Sequence, residues 1–247
     1  MEDMYSRIYD FCRIKNLGGA HKNGNSMSPR IIWIIKFLQE LQIDFKIDEF
    51  SITRFGHNKF YNIYLPGTSR IAITAHHDIV NPNSDNANDN SASVINAILL
   101  KKLDPNVQVI LLDGEEPPMM GVGSDRASQM IKSGIYSGID SVLNLELTGR
   151  GGKNFFIGDT GGVLSRRIIN IFNPPEVSTP FNDSDIFRDN GIDSIVINPL
   201  PNNPDGSGMD FSLLYNCHSL RDSLSTIDIG DMREFVEDVL QKIVSND

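Results

Sequence analysis

Cysteines and long apolar runs are scarce in this chain of 247 residues. The two cysteines, Cys12 and Cys217, could form only one disulfide bond, so a reducing compartment with both thiols free is the simpler interpretation. No apolar stretch is long enough to span a bilayer. Residues 1–16 mix acidic, basic and apolar side chains instead of forming a secretory signal, so we expect a cytoplasmic protein.

Basic residues are also few relative to acidic ones. Lysine and arginine total 22, aspartate and glutamate total 32, and the formal net charge is -10. Non-specific binding to nucleic acid or to an anionic membrane requires a basic surface. We therefore expect no nucleic-acid partner and no membrane partner.

The apolar content of the chain is sufficient for a core. Hydrophobic residues make up 40% of the sequence, which at this length suits one α/β domain with a sizeable buried interior. The sequence shows no repeat, low-complexity tract or linker that would divide it. We therefore predict a single domain over residues 1–247.

The hydrophobic pattern predicts helices and strands along the whole chain. Apolar residues at three- and four-residue spacing indicate helices, alternation indicates edge strands, and continuous aliphatic runs indicate buried strands. Helices are predicted over residues 1–14, 91–103, 126–135, 163–172 and 228–244, with another beginning at the capping pair Ser28-Pro29. Strands are predicted over residues 44–52, 59–65, 71–74, 107–112, 141–147, 154–157 and 193–199. This pattern favours an α/β fold with a mixed sheet.

The composition of two predicted loops indicates what each loop does. Residues 199–209 are rich in proline, asparagine and glycine, the composition of a flexible wall over a pocket. His57 lies in Gly56-His57-Asn58, where a solvated hairpin turn is a better interpretation than a metal ligand.

Histidine and acidic side chains follow the predicted buried strands. These side chains are His76 and Asp78, Glu115 and Glu116, and Glu146, while Asp89 lies at the entrance of the following helix and His218 beyond a later loop. Ligands of open α/β sheets gather at the carboxyl ends of the strands. Carboxylates with imidazoles, and no required thiolate, form the ligand set of zinc or a similar divalent ion. Each pair alone is also typical of a polar loop, so the prediction rests on the combination.

The order of these motifs resembles a known family. The motifs are His76-x-Asp78, Asp89-Asn90, Glu115-Glu116, Asn144-Leu145-Glu146 and His218. They resemble those of the co-catalytic zinc peptidases, the aminopeptidase branch of peptidase clan MH, which also holds glutamate carboxypeptidase and the glutaminyl cyclases. The resemblance runs from about residue 71 to the C-terminus. It implies a three-layer, doubly wound mixed sheet flanked by helices, forming one zinc-peptidase-like catalytic domain.

The resemblance also implies a role for each motif residue. It implies that His76, Asp89 and Glu146 bind one zinc ion, and that Asp89, Glu116 and His218 bind the other. Asp78 would orient the His76 ring, and Glu115 would be the general base that takes a proton from the attacking water. The peptide bond after Asp89 is expected to be cis, as it is in that family.

Two further positions bear on specificity. Aminopeptidases of the family usually have aspartate where this chain has Glu146, and glutamate there accompanies carboxypeptidase-type activity elsewhere in the clan. Ser184-Asp185, followed by Phe187 and Gly191-Ile192, resembles a family stretch near the pocket, which implies that Asp185 lies just outside the ligands.

Our first hypothesis is a two-zinc aminopeptidase that acts on short peptides. A glutaminyl-cyclase-like acyl transferase with one zinc ion is the second, although the presence of His76, a ligand for a second ion, argues against it. A third hypothesis is an inactive member that binds peptide or metal. A fourth treats every acidic residue as solvated surface, which does not explain why the carboxylates follow strands. The sequence leaves the preferred residue, the working ion and the oligomeric state open.

Overall fold

A seven-stranded mixed sheet forms the centre of the computed structural model, which describes residues 2–15, 27–53, 58–158 and 160–245. The strands are β1 (Lys46–Ile52), β2 (Asn58–Leu65), β3 (Ile71–His76), β4 (Gln108–Leu112), β5 (Ser141–Leu145), β6 (Phe155–Gly158) and β7 (Asp193–Pro199). They lie in the order β1-β2-β4-β3-β5-β7-β6. Strands β4, β3, β5 and β7 pair in parallel, whereas the pairs β1–β2, β2–β4 and β6–β7 are antiparallel.

Helices cover both faces of the sheet. They are α1 (Glu2–Tyr5), α2 (Arg7–Cys12), α3 (Pro29–Glu40), α4 (Ala92–Leu103), α5 (Val122–Lys132), α6 (Val163–Phe172), α7 (Asp183–Asp189), α8 (Ile229–Glu234) and α9 (Gln241–Val244), with a π-helical segment, Phe235–Leu240, joining the last two. Successive side chains of a strand point to opposite faces, so Val109 and Leu111 of β4 enter one apolar core and Ile110 and Leu112 the other. The predicted three-layer α/β fold is confirmed.

Strand β3 marks the point where the order of strands reverses. From β3 the chain passes through α4 to β4 on one side, then through α5 to β5 on the other side of β3. In open α/β sheets, the crevice outside the carboxyl ends of the strands at such a point is the usual ligand site. The end of β3 carries His76, so the topology places that residue at this crevice.

Most predicted elements are present, with shifted boundaries. Val163–Phe172 and Asp193–Pro199 match their predictions, and Ser28 caps α3 by accepting a hydrogen bond from the amide of Ile31. The predicted first helix is instead two short helices, and α5 begins four residues before the predicted start, directly after Gly121 at a φ of +79°. Helix α7 was not predicted.

His57 lies outside the described residues. Among the helices that are described, none combines the length and apolar character needed to cross a bilayer. That residues 1–247 form a single domain stays a prediction.

Candidate metal centre

The predicted ligands converge at the carboxyl ends of β3, β4 and β5. His76 Nε2 lies 3.3 Å from Asp89 Oδ1 and 3.6 Å from Glu146 Oε2, and we call these three residues the inner half of the centre. His218 Nε2 lies 2.9 Å from Glu116 Oε2 and 3.4 Å from Asp89 Oδ2, and Asp89, Glu116 and His218 are the outer half. Within each half, the ligand atoms lie within 4.8 Å of one another. Asp89 belongs to both halves.

Amide side chains hold the Glu146 carboxylate of the inner half. Asn90 and Asn144 donate hydrogen bonds to its two oxygens at 2.9 and 3.0 Å. Thr74 of β3 in turn donates to the Asn144 side chain at 2.9 Å. This chain of hydrogen bonds ties the longer glutamate side chain to two neighbouring strands, so its position is set despite the extra methylene.

Asp78 connects two of the ligand-bearing turns. Its Oδ1 lies 3.5 Å from His76 Nδ1, and its carboxylate accepts hydrogen bonds from the backbone amides of Glu115 and Glu116 at 3.3 and 3.0 Å. Burial alone would raise the pKa of Asp78, but the neighbouring His76 imidazole and the hydrogen bond from the Glu116 amide lower it overall. The ionised carboxylate therefore orients both the imidazole ring and the turn after β4.

The shared ligand Asp89 lies in an irregular turn, Ala87–Ser91, before α4. The Asp89–Asn90 peptide bond is cis. The carboxylate of Asp222, a residue that the sequence analysis did not select, accepts hydrogen bonds from the backbone amides of Asn88 and Asp89 at 2.8 and 3.0 Å. Asp222 follows His218 by four residues, so the loop that carries the outer ligand also holds the shared one.

The electrostatics of the centre fit a bound cation. Burial, followed by the neighbouring Asp89 carboxylate, raises the pKa of Glu116 to about 7. Burial also raises the pKa of Glu115 well above its usual range, with further contributions from the Asp183 and Glu146 carboxylates. For His76, burial lowers the pKa but the facing carboxylates Glu146 and Glu115 outweigh it, so its pKa lies well above 6.5. Because so many carboxylates cannot all ionise together in a buried site, divalent ions would resolve the excess negative charge.

A buried carboxylate oxygen without a hydrogen-bond partner also indicates a cation site. Oε1 of Glu116 is buried and accepts no hydrogen bond from the described residues. Buried oxygens without partners are uncommon in folded proteins and call for an explanation such as an ion. The donor set of imidazoles and carboxylates is one that zinc accepts, so the residues present fit the predicted ligand set.

The structure corrects the prediction for Asp185. Asp185 accepts a hydrogen bond from the Asn182 amide in a capping box at the start of α7 and pairs with Arg188. Asp183 is the residue buried beside the centre, where burial raises its pKa to about 7. The pattern Asn182-x-x-Asp185 is a helix-capping signal, and recognising it would have left Asp183 as the candidate.

A cavity of about 380 Å³ opens over both halves of the centre. Its apolar wall includes Leu147, Phe156, Val196 and Leu214, and Cys217 also borders it. The described residues that line it include no lysine or arginine. They also include none of residues 199–209, so the prediction that this loop forms a wall of the pocket is wrong. Residues 177–182 and the segment that carries Leu214, Cys217 and His218 occupy that position instead. Both cysteines are free.

Comparisons with solved structures show the same fold. The glutaminyl cyclase of Porphyromonas gingivalis is 18% identical with a TM-score of 0.73, over 100% of this chain and 99% of that one. A Zn-dependent exopeptidase from Parabacteroides distasonis is 15% identical with a TM-score of 0.71, over 99% and 98%. A zinc aminopeptidase from Bacillus subtilis, BSAP, is 17% identical with a TM-score of 0.61, over 78% of this chain but only 51% of that chain. No curated protein sequence matches significantly.

A family model identifies the chain more directly than these distant structures. The model for peptidase family M28 matches residues 63–243, a span that contains both halves of the centre. This match confirms the resemblance to zinc aminopeptidases of clan MH that the ordered motifs implied. Because the model covers well over half of the sequence, the chain belongs to peptidase family M28.

Proposed function

We propose that this protein is a two-zinc aminopeptidase that removes N-terminal residues from short peptides. The observation that carries the proposal is the position of Asp89, whose two oxygens face different histidines. Oδ1 lies 3.3 Å from His76 Nε2 and Oδ2 lies 3.4 Å from His218 Nε2. A carboxylate in this position can bridge two ions, the arrangement that co-catalytic sites require.

Bound zinc ions would supply a water of lowered pKa and a positive charge that polarises the scissile carbonyl. Glu115 lies beside the inner half of the centre, with Oε2 4.0 Å from His76 Nε2 and a side chain that is 13% exposed. Because burial raises the pKa of Glu115, this carboxylate is suited to accept the proton of the attacking water and to donate it to the leaving amine.

The charge distribution in the cavity favours an amino terminus over a carboxyl terminus. A carboxypeptidase needs a cation to bind the free carboxylate of its substrate, and the described lining residues include no lysine or arginine. A free α-amine would instead meet the carboxylates of Glu115 and Glu146. This supports aminopeptidase specificity even though Glu146 replaces the aspartate usual in such enzymes.

The test combines metal content with hydrolysis of a panel of fluorogenic aminoacyl amides. We expect two zinc ions per chain and metal-dependent release of the amine. Glu115→Gln should keep both ions and lower kcat by at least about a hundredfold, since general-base catalysis contributes that much. Glu49→Gln, an exposed glutamate on β1, is the matched control and should not change the rate. No hydrolysis by the zinc-loaded protein, or an unchanged rate in Glu115→Gln, contradicts the proposal.

One observation favours a second candidate, glutaminyl cyclase. The match to the Porphyromonas gingivalis enzyme extends over the full length of both chains with a TM-score of 0.73. The overall fold therefore fits this activity as well as it fits that of the Bacillus subtilis aminopeptidase, a second structure of which matches 98% of this chain and 94% of that one. A peptide with N-terminal glutamine distinguishes the two activities by mass spectrometry, because cyclisation releases ammonia and keeps the peptide intact. One zinc ion per chain together with cyclisation would replace the aminopeptidase proposal.

A further inference from the structure

Arg30, in the first turn of α3, is completely buried. Its guanidinium donates hydrogen bonds to the His77 carbonyl at 2.7 Å, to the Ser91 hydroxyl at 3.0 Å and to the Phe11 carbonyl at 3.5 Å. The guanidinium carbon also lies 3.8 Å from the centre of the Phe11 ring. None of these partners is a carboxylate. Asp78 attracts the guanidinium only through space, without a direct pair. Burying a cation without a directly paired carboxylate is energetically expensive, so this arrangement calls for a compensating role.

The two strongest partners of Arg30 belong to the two turns that carry inner-half ligands. His77 lies between the ligand His76 and the orienting residue Asp78. Ser91 follows the Asp89–Asn90 peptide bond by one residue. A single side chain from α3 therefore bridges the backbone of one ligand turn and the side chain of the other.

We infer that Arg30 is a positioning residue for the metal centre, which fixes the separation between the turn that carries His76 and the turn that carries Asp89. Neither α2, which supplies Phe11, nor α3 falls within residues 63–243, the span of the family match. On this account the N-terminal helices help to position the metal centre. A second contact also holds the segment that leads to Asp89. Lys15 donates a hydrogen bond to the Ser84 carbonyl at 2.7 Å and pairs with Asp85.

The geometry explains why an arginine occupies this position. A planar guanidinium donates in several fixed directions at once, and Arg30 uses Nε for His77 and Nη2 for Ser91. A lysine ammonium at the same place has a different reach and fewer fixed directions. Burial lowers the pKa of Arg30 to about 10, which still leaves the side chain charged at neutral pH.

Lys101 provides a matched control. It is also a buried cation, 6% exposed, and it donates to the backbone carbonyls of Pro66, Pro105 and Val107. Those carbonyls lie at the start of β4, the opposite end of the strand from the ligand turn. Loss of Lys101 and loss of Arg30 therefore both remove a buried cation from three acceptors, but only the second should affect the metal centre.

The test compares wild type, Arg30→Met, Arg30→Lys and Lys101→Met at a temperature where each is folded by circular dichroism. Zinc affinity is measured by competition with a chromophoric chelator, and hydrogen exchange of the amides in residues 76–78 and 87–91 is measured on metal-free protein. Arg30→Met should bind zinc at least about tenfold more weakly, as is typical when the support of a ligand is lost, and exchange faster at both turns. Arg30→Lys should recover part of the affinity, and Lys101→Met should stay within about twofold of wild type in affinity.

Two outcomes would overturn the inference: unchanged zinc affinity and exchange in folded Arg30→Met, or an equal loss of affinity in Lys101→Met. If Arg30→Met does not fold, Ser91→Ala removes one of the two bridged partners. Faster exchange at residues 87–91 in that variant supports the inference, and unchanged exchange overturns it. The inference rests on the proposed metal centre, but the exchange measurement uses no metal. Absence of zinc binding in wild type would therefore count against the proposed function and leave the role of Arg30 to be decided by exchange.

Discussion

The two halves of the metal centre differ in how firmly the chain holds them. In the inner half, His76 ends a buried strand, its side chain is 1% exposed, and Glu146 is held by two asparagines. In the outer half, His218 lies in a loop at a φ of +61°, and its side chain is 49% exposed. Two of the three inner-half ligands lie at strand ends, whereas the outer half is completed by a loop.

If both halves bind an ion, as we propose, this difference predicts that the two ions exchange at different rates. Ligands at the ends of buried strands, such as His76 and Glu146, move little when solvent or substrate enters, because the sheet fixes their backbone. A half-exposed loop ligand can move and exchange more readily. We therefore expect the inner ion to be the tightly held one, and the outer ion to be exchanged more easily.

The largest expected effect comes from Asp89→Asn, because this change weakens the one ligand that the two halves share. Both ions should bind poorly, and kcat/KM should fall by about a thousandfold, the order of effect expected when metal-derived charge stabilisation is lost. Elemental analysis and kinetics measure the two consequences. Asp140→Asn, an exposed residue that pairs with Arg70, is the matched control. Retention of two ions by Asp89→Asn would show that the halves are independent.

A second prediction contrasts His76→Ala with His218→Ala in the metal-free protein. His76→Ala removes a buried imidazole from facing carboxylates, which should lower the free energy of unfolding by about 3 kcal/mol. His218→Ala removes a half-exposed side chain, and its cost should be about 1 kcal/mol or less. Urea denaturation measures both values. Equal losses would contradict the distinction between a buried half and a loop-completed half.

The smallest effect is a pH dependence of the outer ion. The hydrogen bond with Glu116 raises the pKa of His218 to about 8. An imidazole binds a metal ion only when it is neutral, so below this pKa each bound ion must displace a proton. Affinity for the outer ion should rise by roughly tenfold per pH unit up to about pH 8 and then level off.

Chelator competition between pH 6 and 9 measures this dependence. The affinity of His218→Ala for the single ion that it retains should not level off near pH 8, because the group that titrates there has been removed. If the same inflection persists in His218→Ala, then another group controls the binding of the outer ion.

Much of the fold and of the candidate site could be predicted from residue patterns. The continuous apolar runs before His76 and Glu115 are buried on both faces of the sheet, and such strands are recognisable without a partner. His76, Glu116 and Glu146 could be predicted because they follow such runs, whereas Asp89 and His218 were predicted from the order of the family motifs. Asp183 and Asp185 show the limit, since two acids in one short stretch differ only in which one caps a helix.

Arg30 and Asp222 could not have been predicted in the same way. Arg30 lies among apolar residues of a helix, where an arginine is ordinarily a surface residue, and Asp222 lies in a polar loop. Their partners are 61 and 133 residues away along the chain, so no local pattern records the contact. The apolar wall of the cavity is likewise formed by segments that are distant in sequence.

The sequence by itself determined the order of buried strands and the chemical identity of the groups that follow them, because hydrophobic period and side-chain type are local properties. Only the tertiary structure decided which oxygens face which nitrogens, that Asp89 serves both halves, and that a cation from the N-terminal helices supports two ligand turns. Those contacts depend on how separate elements pack in three dimensions, and the packing of distant segments is not written in any single stretch of residues.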